Sequence, residues 1–359
     1  MDVVLSVVSD QNFLGAIIAS IAFILLGFLL RRLNFINEHG RGILNVVVMK
    51  VAIPCMAFCA FMSDFNTDEF VANLLILVFD LVFYVLFLAI GNLIYIKFDS
   101  NKRKIYAILG AIGQLTFFSM PILAATYGSE SGILIPTSLM SIAFRLFTYL
   151  YSYVTITGEK ITKENFGKTM KDVFVNPIMI CMFLGLIIWA TQNLTWQVNV
   201  ANESYGFLRI DKTLPALYKI FQFGNNMATP LCMLTIGVTL GESKFLDTIK
   251  NGLAWFISSL RAVVFPICIL GICLLIQWSG IMHFSELQLA AMVIGNAAPV
   301  GAVVGVYCVN ANKEAYVASD AIFLSTILSL IGIPLLFVLI KLSMTLPIFA
   351  CLSFFIGYH

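Results

Sequence analysis

Long apolar runs separated by short polar segments fill most of this chain of 359 residues. A helix needs about 20 consecutive apolar residues to cross the core of a bilayer. Windows of that length occur ten times, at 12–31, 42–62, 70–96, 104–126, 130–156, 173–193, 214–241, 251–277, 286–310 and 314–341. The pattern therefore predicts an all-α polytopic membrane protein with ten transmembrane helices, called spans 1 to 10 below. A further apolar stretch at 348–357 is too short to span and is expected at the membrane interface or as an extension of the last helix.

Composition and charge agree with this interpretation and add an orientation. Hydrophobic residues make up 60% of the chain and charged residues 11%, whereas charged residues are about 25% of a soluble domain. The loops after odd-numbered spans hold 14 of the 21 Lys and Arg residues. Because such residues mark cytoplasmic loops, both termini are expected outside the cytoplasm. The eight cysteines lie mostly in apolar runs and are interpreted as small core residues, so no disulfide, metal or cofactor is predicted.

The order of the spans predicts an internal repeat. Spans 1–5 (residues 1–156) and spans 6–10 (residues 173–341) form two groups of five, joined by a short cytoplasmic linker at 157–172. An odd number of spans in each repeat inverts the second copy in the membrane. Proline spacing agrees, because Pro54 and Pro121 are 67 residues apart and Pro230 and Pro299 are 69 apart. The whole chain, 1–359, is interpreted as one transporter domain of two inverted five-helix repeats.

Spans 4 and 9 each contain a proline within a polar, glycine-containing segment. Proline breaks or kinks a helix, and paired broken helices in two repeats are typical of transporter binding sites. Each break exposes a half-helix N-terminus, which favours an anion. The sequence therefore predicts crossed, proline-broken helices 4 and 9 that bind a small carboxylate. The alternative is that both prolines only kink structural helices. The candidate substrate-binding residues are Gln114, Thr116, Ser119 and Pro121 in span 4, and Asn296, Ala297, Pro299 and Gly301 in span 9.

Four ionisable residues inside spans are the candidates for ion coupling. Asp80 and Arg261 are 181 residues apart, and Arg145 and Asp320 are 175 apart, so equivalent positions of the repeats carry opposite charges. Charged groups within a membrane are costly, and they are functional candidates by default. Two interpretations stay open at this stage. The four charges form either a neutral structural network or a device for proton coupling.

Several segments resemble the auxin efflux carrier family. The similarity is most specific at 296–302 (NAAPVGA) and 315–334, and it extends to Asn176-Pro177-Ile and to 230–240. The resemblance implies a scaffold of spans 1, 2, 6 and 7, a transport domain of spans 3–5 and 8–10, elevator-like movement and a homodimer. It also implies organic-anion substrates such as auxin, malate or malonate. The first break departs from the family pattern, with Gln114, Thr116 and Ser119 in place of an asparagine and two glycines.

These observations favour a secondary-active or facilitative transporter of small organic anions in the cell membrane, with possible proton coupling. A sodium-coupled carboxylate symporter and a transporter-like ligand sensor are the alternatives. Signatures of intramembrane or soluble enzymes, such as His-Glu-x-x-His or Gly-x-Ser-x-Gly, do not occur in the sequence. The chain is therefore predicted not to be an enzyme, and its partners are predicted to be the carboxylate, the lipid bilayer and a second copy of itself, with no nucleic acid.

Overall fold

The computed structural model describes residues 11–158, 167, 171, 174–200, 203–242 and 248–345. These residues are mainly helical, which confirms an all-α polytopic membrane protein. Within them, six helical segments are long and apolar enough to cross a membrane: Gly15–Arg32, Glu38–Cys59, Glu69–Ile94, Leu134–Thr157, Gly252–Trp278 and Ala315–Met344. Ten spans in two inverted repeats remain a prediction. Most of the predicted linker at 157–172 and the apolar stretch at 348–357 lie outside the described residues.

The first half of the chain forms helices inside each of its five predicted windows. Three of the windows contain π-helical turns, which locally re-aim side chains. In chain order, the elements are α1 Gln11–Arg32, α2 Glu38–Val47, a π-helical turn Val48–Ala52, α3 Ile53–Cys59, α4 Thr67–Ile94, α5 Ser100–Ala111, a π-helical turn Leu115–Ser119, α6 Met120–Tyr127, α7 Leu134–Arg145, a π-helical turn Leu146–Ser152 and α8 Tyr153–Thr157.

The second half of the chain also forms helices inside each of its five predicted windows, with a polar hairpin segment before span 7. A short antiparallel hairpin pairs Gln197 with Gly206 and Val200 with Glu203. The elements are α9 Pro177–Thr191, β1 Gln197–Val200, β2 Glu203–Gly206, α10 Ile210–Thr213, α11 Pro215–Glu242, α12 Gly252–Ser259, a π-helical turn Leu260–Val264, α13 Phe265–Trp278, α14 Glu286–Asn296, α15 Ala302–Asn310 and α16 Ala315–Met344.

Spans 1, 2, 6 and 7 pack against one another, and we call them the framework group. Spans 1 and 7 touch backbone to backbone through glycines. A Cβ atom on Gly27 would come within 2.1 Å of the Leu234 carbonyl oxygen, and one on Gly237 within 1.9 Å of the Ile24 carbonyl oxygen. Small residues permit such close approach between membrane helices. The contact therefore fixes spans 1 and 7 as a tight pair.

The remaining spans, 3–5 and 8–10, form a second set of packed helices that we call the crossing group. Its boundary with the framework group is mostly apolar. The side-chain hydrogen bonds of the described residues that cross this boundary include the following two. The Thr229 hydroxyl donates to the Pro121 carbonyl at 3.2 Å, and the Ser141 hydroxyl donates to the Met182 sulfur at 3.7 Å.

Arg209 is the centre of a polar cluster on the face that the charge bias predicts to be extracellular. Its side chain is only 2% exposed and pairs with Asp64 at 2.9 Å and with Asp211 at 2.8 Å. It also donates to the Gln192 side-chain oxygen at 2.6 Å. Burial alone would lower the pKa of Arg209, but its hydrogen bonds to the two carboxylates outweigh burial and raise it. The cluster ties the hairpin segment to the loop between spans 2 and 3.

Candidate functional site

Spans 4 and 9 are both interrupted, and their extended segments cross. The helical structure stops at 112–114 in span 4 and at 297–301 in span 9. Gly113 and Val300 pair in an antiparallel bridge. The Gln114 N–H donates to the Pro299 carbonyl at 2.8 Å, and the Gly301 N–H donates to the Ile112 carbonyl at 3.0 Å. Backbone groups that a broken helix releases in a membrane need protein or water partners, and here each break supplies partners for the other.

The two prolines do not occupy equivalent places at this crossing. Pro299 lies in the extended segment, whereas Pro121 is the second residue of α6, beyond a π-helical turn. The residue opposite Pro299 is Gln114. Gln114 and Pro121 are separated by seven residues of mostly helical chain, which is about 10 Å at 1.5 Å per residue. Pro121 and Pro299 therefore do not face each other.

Three serines add hydrogen bonds around the breaks. The Ser325 hydroxyl accepts from the Val300 N–H at 3.0 Å, and the Ser329 hydroxyl donates to the Ala297 carbonyl at 2.7 Å. Ser119 donates to the Ile294 carbonyl at 2.8 Å. Ser119 is fully buried, so it joins spans 4 and 9 and does not present a free hydroxyl.

A cavity of about 580 Å³ lies between the framework and crossing groups and reaches this crossing. Its inner end is formed by Gln114 and Pro299, and Ala302 at the start of α15 adjoins them. It extends to residues beside loops that the charge bias predicts to be cytoplasmic. The polar lining consists of Arg41, Asn45, Gln114, Thr239, Glu242, Asn310, Ser319 and Thr326. Apolar lining residues include Phe117, Phe118, Ile236, Leu240, Val306, Val309, Ile322 and Phe323.

The two amides at the breaks have different environments. Gln114 is partly exposed on the cavity wall, and its side chain has no hydrogen-bond partner among the described residues. Asn296 is 2% exposed, and its amide donates to the Asp80 carboxylate at 2.8 Å and to the Met292 carbonyl at 3.1 Å. Gln114 is therefore free to bind a solute, whereas Asn296 is engaged within the protein.

The other predicted binding residues lie behind the cavity wall. Thr116 is buried, and its hydroxyl lacks a partner among the described residues. Ala297 is buried, and Gly301 uses its N–H for the crossing. Sequence reasoning missed the framework side of the cavity, including Asn45 and Thr239. A polar residue inside an apolar span was the available signal for both.

The structure brings together two of the four inner charges. Arg261 has no solvent exposure, and its guanidinium donates to the Ala298 carbonyl at 2.9 Å and to the Ala111 carbonyl at 2.7 Å. Asp80, 1% exposed, interacts electrostatically with it. The second carboxylate oxygen of Asp80 has no hydrogen-bond partner among the described residues. This pair lies directly behind the crossing.

Arg145 and Asp320 lie in separate environments. The Asp320 carboxylate accepts from the Thr248 hydroxyl and from the Asn251 amide, each at 2.8 Å, at the start of span 8. Arg145 is 3% exposed and interacts with Tyr149 on its own span. A coupling role for the four charges stays a prediction, and Asp80 with Arg261 is the part that adjoins the candidate site.

Comparison with known proteins gives one family and one distant relative. A family model described as "Membrane transport protein" matches residues 13–337. A protein of Methanothermobacter thermautotrophicus (strain Delta H), described as an uncharacterized transporter, is 23% identical over 329 residues. That alignment covers 89% of this chain and 95% of the relative.

Proposed function

Because the chain belongs to the membrane transport family that includes the auxin efflux carriers, we propose that it is a secondary-active or facilitative transporter of small organic anions. The family is one of transporters and not of enzymes. One observation carries the proposal. A cavity between two packed helix groups ends at the crossing of two broken helices, which is the arrangement that transporters use to bind substrate near the middle of the membrane.

The inner end of the cavity suits an anion. Helix α15 begins at Ala302 on the cavity wall. The first N–H groups of a helix have no partner within it, and this end carries a partial positive charge. The unpartnered amide of Gln114 adds a neutral donor beside it. Neutral donors and a helix end hold a carboxylate weakly enough to release it again.

The wall of the cavity favours a carboxylate with an apolar body over a compact dianion. Aromatic and aliphatic side chains from both helix groups form most of it. Arg41 is the cation on the wall, and it forms an ion pair with Glu242. Glu242 also pairs with Arg31 at 3.2 Å. Arg41 is therefore engaged before any substrate binds, although two guanidinium groups share one carboxylate and the three side chains keep a net charge of +1.

Alternating access would come from movement of the crossing group against the framework group, as the elevator mechanism requires. The framework group corresponds to the scaffold and the crossing group to the transport domain that the family resemblance implies. The proposal includes a homodimer formed through the framework group, in the cell membrane, with both termini outside the cytoplasm. Native mass spectrometry in detergent tests the dimer, and accessibility of single engineered cysteines tests the topology.

Two other functions remain as alternatives. A sodium-coupled carboxylate symporter would need a cation site at the broken helices, and a ligand sensor would bind a carboxylate without moving it. Proton coupling through Asp80 is part of the main proposal, because this carboxylate adjoins the crossing.

Uptake into proteoliposomes tests the proposal. Radiolabelled carboxylates that differ in charge and apolar size are offered with and without imposed pH and sodium gradients. We expect saturable uptake of at least one monocarboxylate, a lower apparent affinity in Gln114→Ala, and faster uptake of substrates with an apolar body. Binding without uptake would favour a sensor, and uptake that requires sodium would favour the symporter. Absence of both binding and uptake across the panel would contradict anion transport.

A further inference from the structure

Arg261 contacts both broken helices at once. Its two hydrogen bonds go to the carbonyl of Ala111, the last residue of α5, and to that of Ala298, just after α14. Both carbonyls thus lie at the C-terminal ends of half-helices, which carry partial negative charge. One buried guanidinium therefore neutralises both ends.

Three carbonyls released by the break in span 9 have partners inside the protein. The Ala297 carbonyl accepts from Ser329, the Ala298 carbonyl from Arg261, and the Pro299 carbonyl from the Gln114 N–H. Unwound carbonyls and half-helix C-terminal ends are the groups that coordinate Na⁺ in transporters with broken helices. At this crossing the three carbonyls named above are already bound, and a positive charge is already among them.

The surrounding chain is shaped to receive the guanidinium. Arg261 lies in the π-helical turn Leu260–Val264 of span 8, and such turns are frequent at functional sites. Gly113 leaves the space that the guanidinium fills, since a Cβ atom there would lie 1.8 Å from Nη2. Asp80 supplies a nearby negative charge. The Arg261 guanidinium is therefore accommodated by three parts of the chain, which are span 8, the break in span 4 and span 3.

We propose that Arg261 is a positioning residue whose guanidinium is a permanent cation at the crossing, in the place where a sodium-coupled carrier binds Na⁺. The crossing is then held together without a bound ion, and transport does not depend on sodium. This inference deepens the proposed function by defining its ion requirement.

Thermal unfolding of the purified full-length protein tests the inference without a known substrate. The temperature midpoint of unfolding is measured in three solutions of equal ionic strength. They contain choline chloride, sodium chloride, or choline chloride with guanidinium chloride at low millimolar concentration. The wild type should give the same midpoint in all three. Arg261→Ala should unfold at a lower temperature and regain about 3 °C or more with guanidinium, because a cation that binds the folded state stabilises it by mass action. A purely structural loss of packing would show no cation-specific recovery.

Two results would overturn the proposal. One is a sodium-specific rise in the wild-type midpoint, which requires no variant. The other is a folded Arg261→Ala protein that does not respond to guanidinium. If that variant does not fold, Gly113→Ala is compared with Gly110→Ala, whose Cβ atom would meet nothing within 4 Å. Displacement of the guanidinium should lower the midpoint of Gly113→Ala alone, and equal midpoints would also overturn the proposal.

Failure of this inference and failure of the proposed function give different results. If no carboxylate is bound or transported but the wild-type midpoint is indifferent to sodium, anion transport fails and the fixed cation stands. If a carboxylate is transported only with sodium, the transport function stands and the fixed cation fails.

Discussion

Replacing Gln114 and Asn296 by alanine should have different consequences, although both are amides at the breaks of spans 4 and 9. Gln114 projects onto the cavity wall without a partner among the described residues. Asn296 is buried and donates to Asp80. The first substitution should therefore affect substrate binding, and the second should affect stability as well.

The magnitude for Gln114→Ala follows from the bond that the substrate loses. A hydrogen bond to a charged group contributes about 1.5–3 kcal/mol, and each 1.4 kcal/mol changes a dissociation constant about tenfold. Binding should therefore weaken about 10- to 100-fold. No protein group loses a partner, so the unfolding midpoint should stay at the wild-type value.

The magnitude for Asn296→Ala follows from the group left behind. Removing the amide leaves the Asp80 oxygen that accepts its hydrogen bond buried without a partner, in a residue that is 1% exposed. An orphaned buried acceptor costs about 1–3 kcal/mol, and more when it is charged. Each kcal/mol lowers the midpoint by about 2–4 °C in a chain of 150–250 residues, and somewhat less in a longer chain.

Thermal unfolding and equilibrium binding of a transported carboxylate, measured on the same purified samples, check both expectations. Asn92→Ala serves as a control, because this amide lies in span 3 and donates to the Leu88 carbonyl within its own helix. The control should leave binding unchanged. The reasoning would be refuted if Gln114→Ala bound substrate normally, or if Asn296→Ala unfolded at the wild-type temperature.

Three further substitutions test other parts of the structure. Asp320→Asn should keep the unfolding midpoint within about 2 °C of wild type. The asparagine oxygen can accept from the Asn251 amide, and its NH2 group can donate to the Thr248 hydroxyl, which turns from donor to acceptor. Gradient-driven uptake lost with exchange retained would instead place this carboxylate in proton coupling. Gly237→Ala should lower the free energy of unfolding by about 1–3 kcal/mol through overpacking, since its Cβ atom would lie 1.9 Å from a backbone oxygen of span 1. Thermal unfolding measures the effect, and Gly271→Ala, whose Cβ atom would meet nothing within 4 Å, is the control. Equal unfolding midpoints for the two variants would contradict the tight contact. Arg209→Ala should lower the unfolding midpoint by several degrees because the buried hydrogen bonds of Arg209 are lost. Lys219→Ala is the control and should leave the midpoint unchanged, since Lys219 is exposed. An unchanged midpoint in Arg209→Ala would show that the cluster adds no stability.

The helices and the two breaks could be predicted from the sequence because they depend on local composition. Apolar windows located the helices of the described chain, and the polar segments around Gly113 and Asn296 located the interruptions. The family could also be identified from short motifs, and the match over residues 13–337 confirms it. These properties depend on the length and composition of segments rather than on which residues meet in space.

Contacts between distant segments could not be predicted in the same way. Proline marks where a helix is difficult to continue, but span 4 unwinds at 112–114, before Pro121 is reached. The principal partners of Arg261 are backbone carbonyls, which every residue has and which no side-chain pattern reveals. The spacing of charges did relate Arg261 to Asp80. Spacing also related Arg145 to Asp320, yet the carboxylate of Asp320 is bound by the start of span 8.

The mostly apolar boundary between the two helix groups has a consequence for the rate of any movement across it. Its hydrogen bonds from Thr229 and Ser141 are long, and one of them ends on sulfur. A typical hydrogen bond contributes about 1 kcal/mol net, so breaking these two adds little to an activation barrier. Apolar contact has no preferred direction and re-forms continuously as one surface slides over another. The boundary therefore adds little to the activation barrier for movement of one helix group along the other. The slow step of a transport cycle should arise from rehydration of the crossing and release of the solute.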